Sequence, residues 1–258
     1  MFPYFTIFGT TIATYSLVGL VAVFVGTAAA GFRGKKYSVT RSDTVYAAVF
    51  AGFGLLLGGV FLYALVQLPR LLRFWEHLAS TPAQIPLFLF GGMVFYGGLF
   101  GAVFGLWAYS KVFSQNFGNI LCLAVPVLPL AHGIMRLGCF AAGCCYGLPH
   151  DTLGIAFTRS VAAPNGIPLL PVQLMEAAMN FALFAIIWQF SKKDRESLHL
   201  LCFYGIFYAV GRFALEFFRG DAARGFVFFL STSQFISILV IAACAVVLAR
   251  NRCCKEIP

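Results

Sequence analysis

The chain of 258 residues is 60% hydrophobic and 10% charged, with 30 Phe and 26 Gly, and its mean hydropathy is +0.88. Soluble domains run nearer half apolar and a quarter charged, so the composition excludes an ordinary soluble globule, a disordered chain, a collagen and a coiled coil. An integral membrane protein remains, in which abundant Gly lets helices approach closely; the net charge of +9 is first a topology signal and then a hint of anionic lipid.

A membrane-spanning helix needs about 20 mostly apolar residues. Residues 1–32 contain no charged side chain, which is longer than a signal-peptide core and lacks its basic start. A retained first helix over 6–30 is therefore expected. Further runs predict helices over 44–69, 85–110, 112–137, 171–190, 198–218 and 226–249. The expected architecture is an all-α, polytopic bundle of seven transmembrane helices, 1–258 forming one integral membrane domain. Uninterrupted apolar runs of this length lack the period-two alternation of a barrel.

Loop charges orient the bundle. The segments after helices 1, 3, 5 and 7 hold Arg33, Lys35, Lys36, Arg41, Lys111, Lys192, Lys193, Arg195, Arg250, Arg252 and Lys255, whereas the opposite side holds Arg70, Arg73, Arg159, Arg219 and Arg224. The positive-inside rule then places the N-terminus outside and the C-terminus in the cytoplasm. The long connection 138–170 falls on the outer face, its turns marked by Gly143, Gly147, Pro149, Pro164, Gly166 and Pro168. The third helix carries Gly91, Gly92, Gly97, Gly98, Gly101 and Gly105. Tight helix packing explains this stripe better than a Gly-lined substrate path.

Ionisable side chains inside a span are costly and face the bundle interior or a wet cavity. Four qualify: Arg136, Glu176, Arg212 and Glu216. Arg212 and Glu216 are four apart and share a helix face. An internal salt bridge accounts for them structurally, but two guanidinium forks also suit phosphate oxygens. Two acids stand against two arginines, so the count permits an anion site without requiring it. His132 lies one turn before Arg136, and as a neutral imidazole it can accept a proton.

Eight cysteines are present. Cys122, Cys202 and Cys244 lie in spans and read as packing, and Cys253 and Cys254 are juxtamembrane thiols of the kind that can be acylated. Cys139, Cys144 and Cys145 cluster at the outer boundary. A disulfide is permitted outside the cytoplasm, although vicinal cysteines seldom pair. A three-cysteine metal site has no obvious fourth ligand beyond nearby His150, and simple loop packing is the leading reading. No metal or cofactor is assigned.

The stretch His132-Gly-Ile-Met-Arg136-Leu-Gly138-Cys139-Phe140-Ala-Ala-Gly143-Cys144-Cys-Tyr-Gly147 resembles the signature of the prolipoprotein diacylglyceryl transferase family, a helical Arg followed by Gly-Asn-Phe and closed by Glu and Gly. Tyr208-Ala-Val-Gly-Arg212-Phe-Ala-Leu-Glu216-Phe-Phe-Arg219-Gly-Asp221 is similar to its Tyr…Arg…Glu-Phe-Phe-Arg…Asp helix. Pro171-Val-Gln-Leu-Met-Glu176-Ala matches a Pro-x-Gln-x-x-Glu-Ala segment, and Tyr96-Gly97-Gly98 falls on a His-Gly-Gly core. The family Asn is Cys139 here, its Glu is Cys144 and its His is Tyr96, while Phe8-Gly9 stands in place of Tyr-Gly.

The resemblance implies a multi-pass enzyme of the bacterial cytoplasmic (inner) membrane acting in lipoprotein biosynthesis. Its reaction would transfer the diacylglyceryl group of phosphatidylglycerol to the lipobox cysteine of a preprolipoprotein signal peptide, releasing glycerol phosphate. No nucleic acid and no cofactor are implied. Such chemistry needs a base for the substrate thiol and cations at the phosphate. The expected catalytic residues are Arg136, Arg212, His132, Tyr96 and Glu216. Arg136 and Arg212 hold the phosphate, His132 stands in as base, Tyr96 orients the headgroup and Glu216 fixes the Arg212 fork. Gly97, Gly98, Gly138, Cys139, Gly147, Glu176 and Arg219 are expected to bind substrate. The alternatives are a relative acting on a different lipid or thiol substrate, and a non-catalytic lipid-binding or transport protein.

Overall fold

A computed structural model of the chain describes residues 2–73, 75, 80–90, 92–193, 197–221, 226–227 and 229–255. The described chain is mostly helical, with three small two-stranded sheets. Six of its helices are long and apolar enough to cross a membrane: Thr14–Tyr37, Arg41–Leu68, Phe117–Ala142, Val172–Lys192, Leu198–Glu216 and Thr232–Arg250. Contacts divide the chain into two compact units, Gly31–Leu121 and the remainder.

The N-terminal segment departs from expectation. Residues 6–13 are not helical: strands β1 (Tyr4–Ile7) and β2 (Thr10–Ala13) pair antiparallel. Phe8 and Gly9 join them with φ of 49° and 77°, the left-handed pair that closes a two-residue hairpin. A hydropathy window averages over such a turn and misses it. Helix α1 (Thr14–Arg33) follows.

In the unit Gly31–Leu121, helix α2 (Arg41–Arg73) begins at a reciprocal cap. Asp43 N–H donates to Thr40 Oγ1 at 3.1 Å and Thr40 N–H to Asp43 Oδ2 at 3.2 Å, satisfying two donors of the first turn. The Tyr109 hydroxyl donates to Asp43 Oδ1 at 2.6 Å, tying in a second helix. The expected third span is two helices, α3 (Gln84–Phe90) and α4 (Phe95–Val112). Gly92, Met93 and Val94 are non-helical, and Val94 N–H donates to the Gly59 carbonyl of α2 at 3.0 Å. A Cβ on Gly92 would run into the ring of Tyr63. A poor helix former therefore stands where the chain passes α2 at close range.

The remaining glycines of α4 act as packing. Hypothetical Cβ atoms on Gly97, Gly101 and Gly105 would collide with backbone carbonyls of Gly58, Gly54 and Phe50, and one on Gly98 would touch Leu55. Small residues on both helices let the two backbones meet.

The other unit contains α6 (Leu128–Ala142), α7 (Val172–Lys193), α8 (Ser197–Glu216) and α9 (Thr232–Lys255). The fourth span runs 117–142 and not 112–137: Asn116 Oδ1 accepts from Asn119 N–H at 3.1 Å where helix α5 (Phe117–Ala124) starts. Gly143, left-handed at φ 74°, closes α6 with its N–H on the preceding turn, the usual Gly stop signal. A 3₁₀ turn at Val125–Val127, containing Pro126, separates α5 from α6.

The seventh span likewise begins late. Strand β5 (Phe226–Val227) pairs antiparallel with β6 (Leu230–Ser231). Helix α9 starts behind Ser231, whose Oγ accepts from Gln234 N–H while Gln234 Oε1 accepts from Ser231 N–H.

The connection after α6 is stitched down at both ends. Gly147 N–H donates to the Leu170 carbonyl, Leu148 N–H to Phe218 and Gly220 N–H to Tyr146, and strands β3 (Ile155–Ala156) and β4 (Pro168–Leu169) pair antiparallel. Phe157, Ala163 and Leu169 form a small buried core beneath it, with Phe140 and Tyr146 packed against them. This loop is thereby fixed to the start of α7 and the end of α8.

Candidate active site

The four ionisable residues that sequence places inside spans converge. Glu176, in the second turn of α7 and 1% exposed, is their hub. Arg136 Nη2 of α6 meets Glu176 Oε1 at 2.8 Å, and Arg212 Nη1 of α8 faces Glu176 Oε2 at 4.0 Å. Arg212 Nη2 also bonds Glu216 Oε2 at 3.0 Å, one turn along its own helix, and Ser233 Oγ of α9 at 3.1 Å. Four helices thus contribute to one buried charge cluster. The formal balance is two guanidinium and two carboxylate groups, and each pair is desolvated.

Buried ion pairs hold together only with good geometry and satisfied hydrogen bonds. Here the satisfaction is incomplete for donors and acceptors alike. Glu176 Oε1 also accepts from the Tyr208 hydroxyl at 2.9 Å, so the carboxylate is crowded with donors. By contrast, Arg136 Nε and Arg212 Nη1 are buried with no hydrogen-bond partner among the described residues. Asn180 Oδ1 and Gln173 Oε1 are similarly unpartnered. The two unpartnered donors are cationic, and a ligand with oxygen acceptors and negative charge fits them.

His132 sits one turn before Arg136. Its Nδ1 lies 3.3 Å from the Tyr204 hydroxyl and its Nε2 3.8 Å from Glu176 Oε1, the second distance being too long for a hydrogen bond. The ring packs against Tyr208, centroid to centroid 5.0 Å. Histidine, two arginines and two glutamates are therefore one constellation.

Other expected residues fall elsewhere. Arg219 is 9% exposed and holds Asp221 in a two-pronged contact, Nε–Oδ1 at 3.1 Å and Nη2–Oδ2 at 2.7 Å. Burial works against its charge, but the bonds to Asp221 outweigh that effect and its pKa stands above the ordinary arginine value. Gly138 faces Val18 and Tyr15 of α1, and Gly147 lies against Leu170 and Val172; both are close-approach positions. Gly97 and Gly98 belong to the other unit and face α2. Tyr96 is in α4, and its side chain lies outside the described residues. Cys139 is buried near the C-terminal end of α6.

Sequence reasoning passed over Tyr204, Tyr208 as a site group, Asn180, Gln173 and Ser233. A signal existed for the tyrosines: Tyr204, Tyr208, Arg212 and Glu216 recur every fourth residue, a polar stripe on one helix face. Glu176 and Asn180 repeat that spacing on α7, where Asn180 Nδ2 donates to the Glu176 carbonyl at 2.8 Å. Ser233 carries no comparable pattern.

These features define a multi-pass membrane protein with a buried, arginine-based polar centre. A sequence model described as prolipoprotein diacylglyceryl transferase matches residues 3–250. A protein of Clostridium tetani named phosphatidylglycerol–prolipoprotein diacylglyceryl transferase is 35% identical over 239 residues, 92% of each chain. A second of that name from Clostridium perfringens is 33% identical over 236 residues, covering 91% of this chain and 89% of its own. Another from Nitratidesulfovibrio vulgaris is 33% identical and covers 81% and 77%. The chain belongs to the prolipoprotein diacylglyceryl transferase family and is a membrane transferase of that type.

Proposed function

We propose that this protein transfers the diacylglyceryl group of phosphatidylglycerol to the lipobox cysteine thiol of a preprolipoprotein, in the bacterial inner membrane. The observation that carries this reading is the pair of buried guanidinium groups bridged by Glu176, each retaining an unpartnered N–H donor. A phosphodiester entering beside Arg136 and Arg212 would take those donors and share the positive charge with Glu176 and Glu216.

The reaction forms a C–S bond and breaks the C–O bond to phosphate. The acceptor thiol loses its proton, its sulfur attacks the glyceryl carbon, and glycerol phosphate departs with the bonding electrons. Charge builds on the phosphate oxygens, where fixed guanidinium groups stabilise it in a dry site. His132 takes the thiol proton. In the tautomer that keeps a proton on Nδ1 toward Tyr204, Nε2 retains its lone pair. The resulting imidazolium would stand 3.8 Å from the Glu176 carboxylate. Glu216 and Ser233 hold the Arg212 fork in place.

Seven spans with the N-terminus outside and the C-terminus cytoplasmic complete the reading. The charge cluster uses the C-terminal ends of α6 and α8 and the N-terminal ends of α7 and α9, so it lies at the end of these helices that the loop charges assign to the outer face.

In vesicles of phosphatidylglycerol, the purified protein should release one glycerol phosphate for each thiol of a lipobox peptide consumed. A Cys→Ser peptide should give none. Release without thiol consumption would instead indicate hydrolysis of the phosphodiester to diacylglycerol, or a different acceptor.

A further inference from the structure

The transfer chemistry described above gives the thiols of Cys139, Cys144 and Cys145 no role. Their three Sγ atoms all lie within 4.8 Å of one another, and all three are free thiols. The backbone brings them together, and the Cys144 thiol also donates to the Cys139 carbonyl at 3.7 Å. Gly143 turns left-handed at the end of α6, Cys144 N–H donates to the Cys139 carbonyl at 3.1 Å, and Cys145 takes φ +60°. A non-glycine residue seldom adopts that conformation; here it turns Cys145 toward the other two. Gln173 of α7, 1% exposed, fixes the loop by donating from Nε2 to the Cys144 carbonyl at 2.8 Å.

We propose that these cysteines form a three-thiolate site for a zinc-class divalent cation whose fourth position is open to the thiol of the acceptor peptide. The second half of this inference rests on the transferase reading above.

Sulfur-only donors select thiophilic d10 ions, and zinc completes a tetrahedron whereas copper(I) is content with three thiolates. Among the described residues no fourth protein ligand joins the cluster. His150 is turned to its own loop, its Nδ1 accepting from Leu153 N–H at 3.2 Å. Three protein ligands with an open position is the arrangement of a working zinc centre, not of a structural one. Cys139 is buried while Cys144 and Cys145 are partly accessible, so the opening has a direction. Three thiolates on a divalent ion carry a net negative charge, which Arg136 and Arg219, both within electrostatic reach of Cys145, oppose.

The position also suits the chemistry. Cys139 is one helical turn beyond Arg136 on α6, about 4.5 Å along the axis. A thiol bound at the metal would give up its proton to solvent and stay a thiolate. Its sulfur attacks the glyceryl carbon, the C–O bond to phosphate breaks, and the thioether formed is a weaker ligand and leaves. Where relatives of the family signature place Asn and Glu, this chain places two ligands of that metal.

The test uses the full-length protein, purified under reducing conditions and loaded with Co(II) as a zinc probe. The expected result is one equivalent per chain with intense sulfur-to-cobalt charge-transfer absorption. Cys145→Ser should lose that stoichiometric binding, while Cys244→Ser, outside the cluster, should keep it. Lipobox peptide should shift the cobalt spectrum and a Cys→Ser peptide should not. Absence of stoichiometric metal in protein with three titratable thiols at these positions, or a mapped disulfide among them, overturns the site. Stoichiometric cobalt whose spectrum ignores the peptide overturns the open position. Neither readout depends on phosphatidylglycerol turnover, so a transferase that works without metal, and a metal site in a protein that transfers nothing, are separately visible.

Discussion

Replacing Glu176 with Gln keeps the shape of the hub and removes its charge. Arg136 loses its partner at 2.8 Å and Arg212 its neighbour at 4.0 Å, in a place where Glu176 is 1% exposed. Breaking a buried pair by removing one partner costs about 3–5 kcal/mol, because a charge is left uncompensated. For a chain of this length that corresponds to a melting temperature lower by roughly 10 °C. The direction of the lipid effect separates a structural pair from a substrate site. If the arginines bind a phosphodiester, phosphatidylglycerol supplies the missing negative charge and should protect the Glu176→Gln protein more than the parent. Saturation at 100 times the dissociation constant returns about 2.7 kcal/mol. The assay is thermal unfolding in phosphatidylcholine micelles with graded phosphatidylglycerol. Equal melting temperatures for variant and parent, or equal protection of the two proteins by phosphatidylglycerol, would refute the reasoning.

Three further outcomes follow from the same geometry. His132→Gln should lower thioether formation by roughly 10²–10⁴-fold, the usual worth of a positioned base, with phosphatidylglycerol protection unchanged; near-normal turnover removes His132 from the chemistry. Arg212→Lys keeps the charge but not the fork that reaches Glu216, Ser233 and the phosphate. Phosphatidylglycerol affinity should fall by about tenfold to a hundredfold, as expected for losing one charge-assisted bond, and an unchanged affinity would exclude bidentate contact. Gly101→Leu would drive a side chain into the backbone of Gly54 and Gly58. Overpacking of about 1–3 kcal/mol should appear as a lower melting temperature, and an unaffected protein would show that α2 and α4 do not pack through their glycines.

The long apolar runs made most spans legible, because twenty residues without charge permit little else in a membrane protein. The ends of those spans were not legible in the same way. Asn116 and Gly143 moved the fourth helix five residues along, and Phe8-Gly9 turned the expected start of the first helix into a hairpin. Each is a local hydrogen-bonding or backbone event that hydropathy does not register. The third span divides because α3 and α4 are separate helices, with Val94 bonded across to Gly59, a tertiary contact with no sequence period. Arg136, Glu176, Arg212 and Glu216 stand out in an uncharged background, and in the structure their side chains meet. Which one is the hub was not readable. Glu176 emerges as the centre only when three helices are packed around it, and Ser233 joins from a fourth.

The measurement that bears most directly on the central claim is the mass of a lipobox peptide after incubation with the purified protein and phosphatidylglycerol. The account predicts a peptide heavier by one diacylglyceryl group on its cysteine, and none of it with Arg136→Ala. An unmodified peptide with the parent protein, or full modification by the Arg136→Ala variant, would contradict it.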